Sequence, residues 1–97
     1  MSELDSGGSC EYYRVNISHT VDDRPEYTAE CAEITYALGL MHEEANIFKE
    51  IWRMATARQG ITKKGNTRLR GLKKIQWYVN WLIKIEEEKN AYNNSNF

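Results

Sequence analysis

The sequence predicts a mainly α-helical domain of three helices, with an N-terminal β-strand or extended arm that is paired in an oligomer. Two long segments after residue 42 repeat apolar residues every three or four positions, which is typical of amphipathic helices. A shorter segment of the same kind covers residues 28–38, and residues 13–21 alternate between apolar and polar. A chain of 97 residues suffices for one small domain.

The alternating segment predicts a strand, with Tyr13, Val15 and Ile17 on one face, ending at the turn residues Asp22–Pro25. No second strand is evident in the sequence. An unpaired strand leaves its backbone groups without partners. We therefore expect it to pair with a second copy of the chain, or to lie as an arm on a neighbour, in a homo-oligomer.

The first helix is predicted over residues 28–38, with Cys31, Ile34 and Leu38 on its inner face and Gly39 as its C-terminal stop. The second, over 42–57, places apolar residues on one side and polar residues on the other. We expect the apolar side to be core and the polar side to be either solvated or a ligand surface. The apolar side comprises Ile47, Phe48, Ile51, Met54 and Ala55, the polar side comprises Asn46, Lys49, Glu50 and Arg53, and Trp52 lies at the border.

The third helix is predicted over residues 68–88, with Thr67 as its N-cap. Its expected core stripe comprises Leu69, Leu72, Ile75, Val79, Leu82 and Ile83. A second row, nearly opposite, comprises Arg70, Lys74, Trp77 and Trp81. Two tryptophans in register with two cations indicate either a surface buried against another subunit or a platform on which an indole stacks on a base while the cations meet phosphate.

The small and polar residues 1–10 and the polar residues 90–97 are expected to be disordered tails around a domain at 11–89. The acidic start lacks the apolar segment of a signal peptide, and no apolar run is long enough to span a membrane. Two isolated cysteines suit a reducing compartment. We therefore expect a cytoplasmic protein.

Charge is concentrated in one segment. Between Lys49 and Lys74 nine Lys and Arg residues face one acid, although the whole chain has a net charge of −1. This indicates a localised anionic ligand, whereas the glutamates elsewhere disfavour a broad nucleic-acid footprint. The loop with Lys63 and Lys64 precedes a helix and could hold a phosphate. No catalytic constellation, metal-binding spacing or cofactor motif is present.

Two stretches, 45–53 and 72–79, are similar to a family of small, mostly phage-encoded proteins of unknown function that includes the nucleotide kinase of T-odd-type coliphages. That family resembles this chain through a Gly-Asn-Ala-x-Lys-Tyr-x-x-Arg helix, a basic loop and an Asp-Leu-x-Lys-Ala-x-Trp-Tyr-Leu helix. The positions retained are Asn46, Lys49, Arg53, Lys73, Lys74, Trp77 and Tyr78. The family glycine, tyrosine and acid are replaced by Ala45, Glu50 and Gly71.

The resemblance implies a phage protein of the host cytoplasm that binds a nucleotide or a nucleotide-derived phosphate ligand. It either transfers a phosphoryl group between nucleotides or captures a nucleotide signal of host defence; Glu50 counts against catalysis. The alternative is a non-enzymatic phage protein that binds and inhibits a host protein. The expected ligand-binding residues are Asn46, Lys49, Trp52, Arg53, Lys63, Lys64, Lys73, Lys74, Trp77 and Tyr78.

Overall fold

The architecture is mainly helical, with three helices and a two-stranded antiparallel sheet, which confirms the predicted fold class. A computed structural model describes residues 11–61 and 67–95, with the side chains of 93–95 left aside. The strands are β1 (Arg14–Ile17) and β2 (Tyr27–Glu30), and the helices are α1 (Cys31–Leu38), α2 (His42–Arg58) and α3 (Arg68–Ser95).

The strand β1 finds its partner within the chain, and the expectation that no second strand follows is wrong. Arg14 faces Glu30 and Ile17 faces Tyr27 in an antiparallel ladder. Residues 28–30, expected to begin the first helix, are therefore extended. This pairing removes the strand-based reason for expecting an oligomer, and the oligomer itself stays a prediction.

The helix ends follow the local capping signals. α1 begins where the Glu33 side chain accepts the Glu30 backbone N–H at 3.2 Å, and it ends at Gly39, whose φ of +66° suits glycine. Thr67 caps α3 as predicted, since its hydroxyl accepts the Arg70 backbone N–H at 3.1 Å.

The last helix is longer than predicted. α3 continues to Ser95, so residues 90–95 are helical where a disordered tail was expected. The expectations for residues 1–10 and 96–97 lie outside the described residues. Within the part of the chain that the structure describes, no helix is long and apolar enough to cross a membrane.

α2 and α3 form an antiparallel hairpin. Near the loop end, a Cβ on Gly71 would lie 3.6 Å from the Met54 side chain. Farther along, Lys74 contacts Glu50, and the rings of His42 and Tyr78 meet at 6.1 Å. This hairpin positions the residues of the candidate site.

The packing of α2 buries part of the side expected to be polar. Glu50, on that side, is only 2% exposed, whereas Ile51, on the expected apolar side, is 52% exposed. Residues 11–13 and α3 both contact the polar side, where Tyr13 lies over Lys49 and Arg53. An internal charge cluster therefore helps to join these elements. The other residues of the expected apolar side are half-buried: Ile47, Phe48, Met54 and Ala55.

The expected core stripe of α3 is also only partly inside. Ile75 and Leu82 are half-buried, whereas Leu69, Leu72, Val79 and Ile83 are exposed. The side of α3 that meets α2 instead contains the buried Gly71 and the half-buried Tyr78. This side packs on α2 because Gly71, which has no side chain, leaves room for the charge cluster between the helices.

Candidate functional site

The charge cluster centres on the Glu50 carboxylate. One of its oxygens, Oε2, lies 3.1 Å from Arg53 Nη2 on the same helix and 3.0 Å from Lys74 Nζ on α3. A buried carboxylate needs paired charges to offset its lost hydration. Glu50 therefore ties α2 to α3 and neutralises much of the charge of two predicted phosphate ligands.

Gly71 makes room for the second carboxylate oxygen. A Cβ at this position would lie 3.3 Å from Glu50 Oε1, which is tighter than most Cβ contacts. That oxygen is buried and has no hydrogen-bond partner among the described residues. Glu50 on α2 and Gly71 on α3 are thus neighbours in space.

Tyr13 closes the other side of the cluster. Its ring lies 5.6 Å from Lys49 Nζ and 5.5 Å from the Arg53 guanidinium carbon, which are cation–π distances. Burial raises the pKa of the Tyr13 phenol, with Arg53 partly opposing the shift. The phenol therefore stays neutral at physiological pH, and its ring acts as an aromatic lid over the cations.

A cleft of about 360 Å³ adjoins this lid, between the start of α1 and α2. The buried Cys31 thiol and the Lys49 side chain both line it. Burial raises the pKa of the Cys31 thiol, while Lys49 and Arg53 oppose the shift. A thiol held neutral in this way behaves as a small apolar side chain and not as a nucleophile.

A second cleft, of about 500 Å³, lies along the first turns of α3 and is named here the α3 cleft. Three cations line it together with one indole that is 61% exposed, that of Trp77. The full lining comprises Thr67, Leu69, Arg70, Lys73, Lys74 and Trp77. No acid belongs to this described lining, although Glu50 pairs with Lys74 from behind.

Trp77 does not stand alone on this face. Its ring stacks on that of Trp81, with the centroids 6.2 Å apart and the planes 10° apart, and it meets Tyr78 edge-on at 5.1 Å. Lys84 Nζ lies 6.0 Å from the Trp81 ring on the next turn. The indoles thus form a continuous aromatic surface that leads away from the cations.

The predicted ligand residues fall into separate groups. Lys73, Lys74 and Trp77 line the α3 cleft, whereas Lys49 and Arg53 belong to the charge cluster, with Lys74 shared between the two.

The remaining predicted ligand residues lie elsewhere. Asn46 donates to the His42 carbonyl at 2.8 Å. Trp52 packs against Phe48, with the ring centroids 5.9 Å apart. Tyr78 lies half-buried beside His42. Lys63 and Lys64 lie outside the described residues.

The structure adds three residues that the predicted site lacks. Tyr13 belongs to the predicted strand, and only the tertiary fold brings it to Lys49 and Arg53. Arg70 belongs to the predicted row of cations and tryptophans but not to the predicted ligand residues, although its spacing of seven from Trp77 is a usable signal. The place of Gly71 beside Glu50 leaves no signal in the sequence.

The α3 cleft combines groups that suit an anion with a group that suits a planar ring. Cations beside a helix N-terminus favour phosphate, and an exposed indole favours stacking on a base. Comparison with protein-family models, with curated proteins and with solved structures finds no match to this chain. The resemblance to the phage family therefore stays a prediction.

Proposed function

We propose that this chain binds a nucleotide or a nucleotide-derived phosphate ligand in the α3 cleft. Arg70 and Lys73 hold the phosphate, and Trp77 stacks on the base. The observation that carries the proposal is the exposed Trp77 indole in the same cleft as three cations, with no acid in the described lining.

The cations of the site differ in how available their charges are to a ligand. Lys74 shares its charge with Glu50, and the Arg53 side chain is 11% exposed in the same pairing, so neither is fully available to a ligand. Arg70 and Lys73 are exposed and form no salt bridge among the described residues. These two side chains are therefore the principal phosphate ligands.

The same arrangement favours capture over phosphoryl transfer. Transfer between nucleotides rests on cations positioned around the moving phosphoryl group. Here the buried Glu50 already engages two of the cations that the resemblance assigns to this work. A phage protein that sequesters a nucleotide signal of host defence fits this charge balance, and incubation with a nucleoside monophosphate and a triphosphate donor tests for turnover.

The direct test is a thermal-shift and affinity panel of mononucleotides, cyclic dinucleotides and adenine-dinucleotide derivatives. A ligand that binds only the folded chain raises the melting temperature with its concentration. We expect at least one member to do so, and its identity names the ligand class. A flat panel contradicts the proposal.

Two lysine variants on the same helix locate the site. Lys73→Ala is expected to weaken binding by roughly tenfold, because a charge-assisted contact to phosphate is lost. Lys89→Ala removes the same charge at an exposed position that pairs with Glu86, and it should leave the affinity unchanged. Equal effects of the two variants would show non-specific charge attraction and not a site.

A second candidate function is inhibition of a host protein through the Trp77–Trp81 surface. The parallel stack of two exposed indoles favours it, since tryptophan is enriched among residues that dominate protein interfaces. This alternative predicts a flat nucleotide panel. It also predicts a host protein that is retained by the wild-type chain and lost with Trp81→Ala.

A further inference from the structure

One face of α3 is apolar and unpartnered. Leu69 is 62% exposed and Ile83 is 49% exposed, with Leu72 and Val79 exposed between them. Together with Gln76 these residues recur at spacings of three, four, three and four, which is the seam pattern of a coiled coil. We name Leu69, Leu72, Gln76, Val79 and Ile83 the α3 seam.

The seam is a third face of the helix, and it meets the α3 cleft at Leu69. At about 100° per residue it lies roughly 120° from the side that meets α2, and as far from Trp77. On α2, the exposed Ile51 lies about 200° round the helix from Lys49, which contacts Tyr13. Ile51 therefore faces away from the N-terminal elements and extends the apolar surface of the hairpin.

The charge distribution along α3 favours a second copy of the chain in an antiparallel orientation as the partner of the seam. Four cations and no acid lie between Arg68 and Lys74, whereas residues 84–89 contain three consecutive acids flanked by Lys84 and Lys89 and have a net charge of −1. A parallel copy would place like charges together. An antiparallel copy places the basic end of each helix beside the acidic segment of the other and aligns the helix dipoles favourably.

We propose that the α3 seam packs against the α3 seam of a second copy in an antiparallel, two-fold symmetric pair. The seam spacing places Leu72 opposite Ile83 of the second copy, and Gln76 opposite Val79 next to the two-fold axis. A polar residue at one seam position specifies register in coiled coils, which gives Gln76 a role among apolar neighbours. The proposal does not depend on nucleotide binding.

Sedimentation of the full chain tests the interface with a matched pair of glutamate variants. The wild-type chain should sediment at twice the monomer mass or an even multiple. Val79→Glu should halve that mass, because symmetry inserts the charge twice, while the far-UV helical signal persists. Trp81→Glu places the same charge on another face of α3 and should leave the mass unchanged.

A monomeric wild-type chain would overturn the proposal, and so would an assembly that Trp81→Glu disrupts and Val79→Glu does not. Neither readout uses a nucleotide, so failure here is distinguishable from failure of the α3 cleft as a ligand site.

Oxidative cross-linking tests the direction of the helices. Leu72→Cys and Ile83→Cys chains, made with Cys10→Ser and with one of them isotopically labelled, are mixed and oxidised. The buried Cys31 does not compete. An antiparallel pair gives the mixed disulfide identified by mass spectrometry, whereas disulfides only between identical chains would demonstrate a parallel pair and overturn the stated geometry.

Discussion

Glu50 is a fully buried acid whose partners come from both helices of the hairpin. Replacing it with Gln keeps its shape but leaves Arg53 and Lys74 without their shared carboxylate. Breaking a buried pair costs about 3–5 kcal/mol, and the partial exposure of Lys74 reduces this to about 2–3 kcal/mol. We predict that loss of unfolding free energy for Glu50→Gln in urea denaturation.

Glu86→Gln is the matched control on α3. Glu86 pairs with Lys89 at 3.6 Å, and both side chains are well exposed. An exposed pair contributes little, so this variant should unfold within about 0.5 kcal/mol of the wild type. Equal stabilities of the two variants would mean that Glu50 does not bind the helices together.

Burial of Cys31 and Tyr13 makes the free energy of unfolding depend on pH in the alkaline range. Burial raises the pKa of both groups, so the folded state holds their protons more tightly than the unfolded state does. The stabilisation is complete below the ordinary pKa of the thiol, about 8.5, and is lost as pH rises through the raised pKa values.

We predict a melting temperature that is level near neutral pH and falls above about pH 9. The Cys31→Ala variant should show a shallower fall than the wild type, because one of the two titrating groups is gone. A slope identical to that of the wild type would remove Cys31 from this explanation.

The polar side of α2 shows where prediction from the sequence stops. The spacing of Lys49, Glu50 and Arg53 reveals that they share a face, but it does not reveal that another element covers that face. The cover consists of Tyr13 and Lys74, whose contacts depend on how three elements pack. A charged face becomes internal only when every charge finds a partner, and partners on other elements leave no periodic signal.

At the scale of the elements, Glu50 on α2 and Gly71 on α3 share one space, because a Cβ on Gly71 would lie 3.3 Å from Glu50 Oε1. We therefore expect substitutions at the two positions to be coupled. Gly71→Asp alone would set a second carboxylate against the first, and Glu50→Tyr alone would leave two cations without an acid.

We predict that the double variant Glu50→Tyr/Gly71→Asp loses less unfolding free energy than the sum of the losses of the two single variants. The coupling free energy should be about 1–3 kcal/mol in favour of the pair, as for residues in contact. Chemical denaturation of the four proteins in this cycle measures it. Strict additivity would show that the two positions do not share one charge site.

The second strand is hard to predict from the sequence for a different reason. β2 has only four residues, and its last residue, Glu30, is also the N-cap of α1. The strand therefore cannot be distinguished in the sequence from the helical pattern that follows it. A strand this short is defined by its partner, β1, and not by its own periodicity. The longer helices, by contrast, begin where the sequence pattern predicts, at His42 and Arg68.

The sequence of α3 does not define a single core face. Its apolar residues extend around much of the helix, so a single core face could not be chosen from spacing alone. Gly71 lies on the side that meets α2, where a Cβ would contact the side chains of Glu50 and Met54. The seam and the tryptophan face remain for other contacts.

For the whole molecule, the two proposals use different faces of α3, which meet at Leu69. The α3 cleft contains the cations and Trp77, whereas the α3 seam contains the apolar residues proposed to pair with a second copy. We predict that monomeric Val79→Glu binds the nucleotide ligand within about twofold of the wild-type affinity, a difference of about 0.4 kcal/mol. A large loss would mean that the ligand site needs both copies.

The central claim is that Trp77 stacks on a bound nucleotide, and the indole N–H signals of ¹⁵N-labelled protein test it most directly. The chain has three tryptophans, so single Trp→Phe variants assign every signal. During titration with the ligand that the panel identifies, the Trp77 signal should move saturably while that of the half-buried Trp52 stays in place. A stationary Trp77 signal, or movement of Trp52 alone, would contradict the account.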